Sequence, residues 1–110
     1  RTILLVNMML SALMTNRKKH IEKIANELLQ YVEKNEYAAL AMIHYYMYVG
    51  RFGDAQSLLN KIRDNIDYEI YVGLKSRIVR KKFDTEYYIY ILTSRIIPLI
   101  TCPLLATTFQ

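Results

Sequence analysis

Val49-Gly50-Arg51-Phe52-Gly53-Asp54-Ala55-Gln56-Ser57-Leu58-Leu59 joins two helices. Gly50 can take the left-handed conformation that closes a helix, and the Asp54 carboxylate can cap the helix that follows. Phe52 is placed to plug the turn, and the small Ala55 lets the two helices approach closely. Upstream, Asn35 is a second candidate N-cap and Glu36 suits the positive end of a helix dipole, so a helix is expected over 36–49. That helix is crowded with large side chains, Tyr37, Leu40, Met42, Ile43, His44, Tyr45, Tyr46, Met47 and Tyr48, and must bury more than one face. Downstream, Ala55, Leu58, Leu59 and Ile62 form the inward stripe of a helix over 54–64.

The flanking sequence continues in the same manner. Leu5, Met8, Met9 and Ala12 fall at helical spacing in a first helix from 3 to about 15. Asn16 can cap a second over 17–34, whose stripe is Ile21, Ile24, Ala25, Leu28, Leu29 and Val32. Asp64-Asn65-Ile66-Asp67 makes a turn, Ile70, Leu74 and Ile78 mark a fifth helix over 68–80, and a sixth is expected over 85–97. With three glycines and two prolines in 110 residues, turns are few and elements long. Both prolines, Pro98 and Pro103, fall in an uncharged run from Ile96 to Phe109, so residues 1–97 are expected to form the helical domain and 98–110 a broken or extended apolar tail.

A shift of 34 residues lays Ile21 on Ala55, Ala25 on Leu59, and Leu5, Met8, Met9 and Ala12 on Ala39, Met42, Ile43 and Tyr46. All are apolar. In the other direction Phe83 matches Phe52 after 31 residues and Glu86 falls where Ala55 should be, so a third unit is degenerate. Short connections force successive helices to pack as antiparallel hairpins.

The Gly50-x-Phe52-x-x-Ala55 turn followed by Leu59 resembles the tetratricopeptide repeat. That resemblance implies an all-α, right-handed superhelical stack of three hairpins, about six helices, the first of each hairpin lining a concave groove. Groove positions on the central unit are then Tyr37, Leu40, His44, Met47 and Tyr48, and their equivalents are Tyr68, Tyr71 and Ile78 in the third unit and Ile3, Val6, Leu10 and Leu13 in the first. These side chains are apolar and aromatic, so the expected ligand is an amphipathic helix with anchors at i, i+3 and i+4.

An apolar first hairpin, then Glu36-Tyr-Ala-Ala-Leu-Ala-Met-Ile43 with its Gly-Arg-Phe-Gly-Asp-Ala turn, and a short degenerate last hairpin resemble the needle-subunit chaperones of bacterial type III secretion systems, the YscG type, over residues 3–95. The resemblance implies a cytoplasmic bacterial protein in a hetero-oligomer. It would hold the C-terminal helix of the needle subunit in its groove and prevent premature polymerisation. A small helical co-chaperone would contact Ile3, Val6, Leu10 and Leu13. The Pro-containing tail departs from the family's helical ending.

The remaining signals point away from catalysis. His20 and His44 lie on different helices with no acid, serine or cysteine at useful spacing, and no phosphate-binding glycine loop, HExxH or CxxC occurs, so no cofactor, metal or enzymatic activity is expected. The single cysteine, Cys102, permits no internal disulfide and suits a reducing compartment. Opening on Arg1, the chain is expected to lack its first residues. Asn7 and Ser11 interrupt the early apolar run and no cleavage site follows, so a secretory signal is not expected, and no run is long enough to span a bilayer. A net charge of +5 brings acidic partners, RNA or an anionic membrane surface, into consideration, and the alternatives are a basic helical-repeat protein binding RNA through Arg17–Lys19 and Arg77–Lys82 or a general scaffold for another partner peptide. Those clusters are interleaved with Glu22, Glu27, Glu33 and Glu36, and a solvated face is the plainer expectation, with no nucleic-acid partner.

Overall fold

A computed structural model describes residues 2–94. Within them the chain is helical throughout, with no strand. The elements are α1 (Thr2–Thr15), α2 (Lys18–Leu28), α3 (Glu36–Tyr48), α4 (Phe52–Lys61), α5 (Tyr68–Val79) and α6 (85–94). Short 3-10 turns, Leu29–Tyr31 and Arg63–Asn65, follow α2 and α4. The expected end of the sixth helix at 97 and the tail over 98–110 lie outside the described residues.

The 34-residue spacing reappears in the backbone. α1 and α3 begin at 2 and 36, α2 and α4 at 18 and 52, and the two 3-10 turns at 29 and 63. Each odd-numbered helix also stops in the same way. Asn16, Gly50 and Lys81 adopt positive φ of 55°, 83° and 54°. After each, an N–H reaches back across the last turn: Arg17 to the Ala12 carbonyl at 3.1 Å, Arg51 to Tyr46 at 2.7 Å and Lys82 to Arg77 at 2.9 Å. This closure satisfies carbonyls that a helix end otherwise leaves bare. Asn16 therefore ends α1 and does not cap α2, which starts without a side-chain cap. Asp54 likewise sits in the first turn of α4, its carboxylate accepting from Arg51 Nε at 2.7 Å. Asn35 does cap α3, accepting from the N–H groups of Tyr37 and Ala38 at 2.9 and 3.2 Å.

α1 packs on α2 and α3, α3 on α4, and α4 on α5. Two apolar clusters result, and α3 separates them. Ala38, Met42 and Tyr45 belong to a cluster with Leu5, Val6, Met9, Ile21, Ile24 and Leu28, while Ala39, Leu40, Ile43 and Met47 belong to one with Ala55, Leu59, Ile70, Tyr71, Leu74 and Ile78. The Tyr45 hydroxyl donates to the Glu22 carboxylate at 2.8 Å, tying α3 to α2, and burial together with that carboxylate pushes the phenol up to about 12. α6 contributes to both clusters, Tyr88 and Leu92 to the first and Ile91 to the second.

Candidate partner-binding surfaces

The expected groove on α3 and α5 is closed. Leu40, His44, Met47, Tyr71 and Ile78 are all buried. Tyr37 and Tyr48 are half-buried against the core, and of the eight groove residues only Tyr68 is open to solvent. The correction has a physical cause: α3 is the central helix, and its several apolar faces meet α1 and α2 on one side and α4 and α5 on the other. Tyr71 sits beneath two cations, with Arg63 at 5.1 Å and Lys75 at 5.8 Å from its ring.

What remains of the face on α1, α3 and α5 is occupied by α6. His44 of α3 stacks on Tyr88 with ring centroids 4.1 Å apart and planes 9° from parallel. The Tyr88 hydroxyl donates to the Val6 carbonyl of α1 at 3.3 Å, and Tyr48 meets Phe83 edge-on at 5.4 Å. The His44 Nδ1–H donates to the Leu40 carbonyl at 2.7 Å, while Nε2 is buried with no partner. Burial is the main reason the imidazole is held down at about 4, since a charge there would be unsolvated.

The start of α6 is also anchored on α5. Asp84 accepts from the Tyr87 N–H at 3.2 Å, as a helix cap does, and from Arg77 Nε at 3.1 Å. The Arg77 guanidinium lies 3.7 Å from the centre of the Tyr87 ring. The hydroxyl end of that ring lies against Gly73, so closely that a methyl group at 73 would overlap it. Glycine inside a helix ordinarily costs about 1 kcal/mol relative to alanine. Gly73→Ala is accordingly expected to loosen α6 in the native chain yet to stabilise a Tyr87→Ala background by about 1 kcal/mol. Urea titration of the four proteins checks this, and equal effects in both backgrounds would mean that the ring does not rest on Gly73.

The first hairpin divides differently from expectation. Val6 and Leu13 are buried in the core and Leu10 is half-buried against it, so these three are not an open contact surface; Ile3 is exposed. The uncovered face of α1 instead comprises Ile3, Leu4, Asn7, Met8, Ser11 and Met14, without one charge. Its residues occupy the positions by which α3 packs on the preceding hairpin. Leu4 is 58% exposed where its 34-residue equivalent Ala38 is 0%, and Met8 is 43% exposed where Met42 is 1%. The repeat itself carried this signal: a first unit has the stacking residues of the second, but nothing among the described residues lies against them.

His20 is exposed and His44 sealed, and no group of three His, Cys, Asp or Glu among the described residues could hold a metal ion. A cleft of about 650 Å³ between the α2–α3 and α4–α5 connections is lined by Glu33, Lys34, Glu36 and Lys61 with Val32, Leu58 and Ile62, a mixture with no set of groups aimed at one point. No helix of the described residues is long and apolar enough to cross a membrane. Compared with protein-family models, curated proteins and solved structures, the chain matches none.

Proposed function

We propose that this chain is a non-enzymatic, protein-binding stack of tetratricopeptide-like hairpins that docks a helix of another protein on the outer face of α1. The observation that carries the reading is that exposed face, uncharged from Ile3 to Met14, whose central counterparts on α3, Ala38, Ala41, Met42 and Tyr45, are buried against the preceding helical pair. Each Leu or Met anchor covered by a partner is worth roughly 1.5–3 kcal/mol, so three can offset the ordering of a short helix. The needle-subunit chaperones named above are the most specific version of this reading, with a small helical co-chaperone on the first hairpin in a bacterial cytoplasm. In that version α6 occupies the face that would receive the needle helix, and the needle helix must displace it. The resident helix supports the reading in one respect: it is itself an amphipathic segment held across α1, α3 and α5 by Tyr88 and Ile91.

Leu4→Asp or Met8→Asp is expected to abolish co-purification of a co-expressed helical partner while leaving helicity and urea midpoint unchanged, because both side chains already face water. Retained capture by both variants would remove α1 from the binding surface.

A further inference from the structure

The three connections that follow α1, α3 and α5 gather at one end of the stack, and that end is basic. A cleft of about 330 Å³ bounded by Lys18, Ile21, Glu22, Tyr48 and Val49 sets the start of α2 beside the end of α3. The Tyr48–Phe83 contact sets the α5–α6 connection on the other side of the same α3 terminus. Arg17, Lys18, Lys19, Arg80, Lys81 and Lys82 are thereby brought to one surface from two distant stretches of sequence. All six are exposed, and none is in an ion pair among the described residues. The cations that do have partners, Arg51 with Asp54 and Arg77 with Asp84, lie among them, as do the carboxylates of Glu22, held by the Tyr45 hydroxyl, and Glu86.

Local stability does not explain this charge. Lys18 and Lys19 stand in the first turn of α2, at the positive end of a helix dipole, where a carboxylate would be favoured, and the helix has no side-chain cap. Lys81 holds a φ of 54°, a conformation suited to glycine or asparagine. The large apolar side chains exposed between the cations are aliphatic, Val49 at 38% and Val79 at 69%, while the aromatic rings at this end, Tyr48 and Phe83, are half-buried against each other. The most exposed tyrosine, Tyr68, opens α5 at its far terminus, so it is not available at this end to stack on bases.

We propose that this end of the stack binds the surface of an anionic lipid bilayer, the six cations meeting the headgroups and Val49 and Val79 entering the interface. Exposed aliphatic side chains ringed by lysine and arginine suit a headgroup–acyl boundary, whereas single-stranded nucleic acid calls for aromatic platforms in a basic groove. The proposal is independent of the α1 docking face, which lies along the side of that helix.

The test is co-sedimentation of the chain with vesicles of phosphatidylcholine alone and of an equimolar mixture with phosphatidylserine, at low and at physiological salt. Binding is expected only to the mixed vesicles and is weakened by salt. Each cation near the surface contributes about a five-fold change in partition, so Lys18→Gln with Lys19→Gln, and Arg80→Gln with Lys82→Gln, should each lower it roughly 25-fold. Val49→Ser with Val79→Ser should also lower it at unchanged charge, while Lys34→Gln with Lys61→Gln, on the opposite end, should not. The proposal is overturned by absence of binding to the mixed vesicles, by binding that does not depend on phosphatidylserine, or by indifference to the valine pair. Tighter capture by polyuridylate than by the mixed vesicles would also overturn it, assigning the surface to nucleic acid.

Discussion

Leu40→Asp, and separately Met47→Asp, is expected to unfold the chain. Both side chains are enclosed by α3, α4 and α5, at 3% and 2% exposure. Truncating such a residue costs about 2–5 kcal/mol from lost burial and the cavity left behind, and an unpaired carboxylate in that cavity adds several more. A domain of this size holds about 5–15 kcal/mol in total, so either change removes most of it. Loss of helical circular dichroism, or a urea midpoint near zero, is the expected reading. Tyr68→Asp, at 74% exposure, should stay within about 0.5 kcal/mol of the parent. An aspartate at 40 or 47 that leaves a cooperative transition in place would return those positions to an open groove.

The second large effect is one of pH. The His44 imidazole is held at about 4 in the folded chain against 6.5 when free. Between those values the unfolded chain binds a proton that the folded chain does not, so stability is full above pH 6.5 and is lost as the pH falls towards 4. Over that window the loss is about 3 kcal/mol. Asp84 acts elsewhere: its carboxyl is held below the usual carboxylate value by Arg77 and the Tyr87 and Glu86 N–H groups, against the opposing effect of burial. Its contribution is therefore present above the free carboxyl value of 3.8 and disappears only below it. His44→Phe keeps a ring against Tyr88 and removes both the titration and the partnerless Nε2. Urea midpoints measured from pH 7 to pH 4.5 should fall steeply for the parent and much less for His44→Phe. Parallel curves would show that His44 is not the group responsible.

The helices were legible because their signals are local. Asn35 before Glu36 fixed the start of α3, and Gly50 its end; Ile70, Leu74 and Ile78 marked α5 to within a residue of its observed end. The second helix, expected to run through 34, ends at Leu28 and is followed by a 3-10 turn over Leu29–Tyr31; Leu29 of the expected stripe is exposed and Val32 half-buried, a change in winding that apolar spacing does not encode. The misreading at Asn16 has the same origin. Asparagine serves both as an N-cap and as a left-handed residue, and only the bond from Arg17 to Ala12 distinguishes the two.

The binding surface was less legible. A helix apolar on every side reads equally well as one that greets a ligand or as one enclosed by its own chain, and α3 lies between two apolar clusters of its own chain. Which face of α3 its own chain covers depends on where α6 settles. The decisive contact, Tyr88 to Val6, joins residues 82 apart in sequence, beyond any periodic pattern. Leu4 and Met8, by contrast, were within reach of the 34-residue shift, which placed Met8 on Met42. The shift gives equivalence of position and not of burial, since each unit is buried by the neighbour before it.

The closure of the groove and the sealing of His44 turn on α6 filling the face of α1, α3 and α5 from within the same chain. The most direct measurement is nuclear Overhauser contact between the ring protons of His44 and Tyr88 in the isolated chain at neutral pH. Strong cross-peaks are expected from stacked rings 4.1 Å apart, with slow exchange of the α6 amides around 88–92. Absent cross-peaks, with Tyr88 at free-tyrosine shifts and rapidly exchanging α6 amides, would contradict it and leave that face open to a foreign helix.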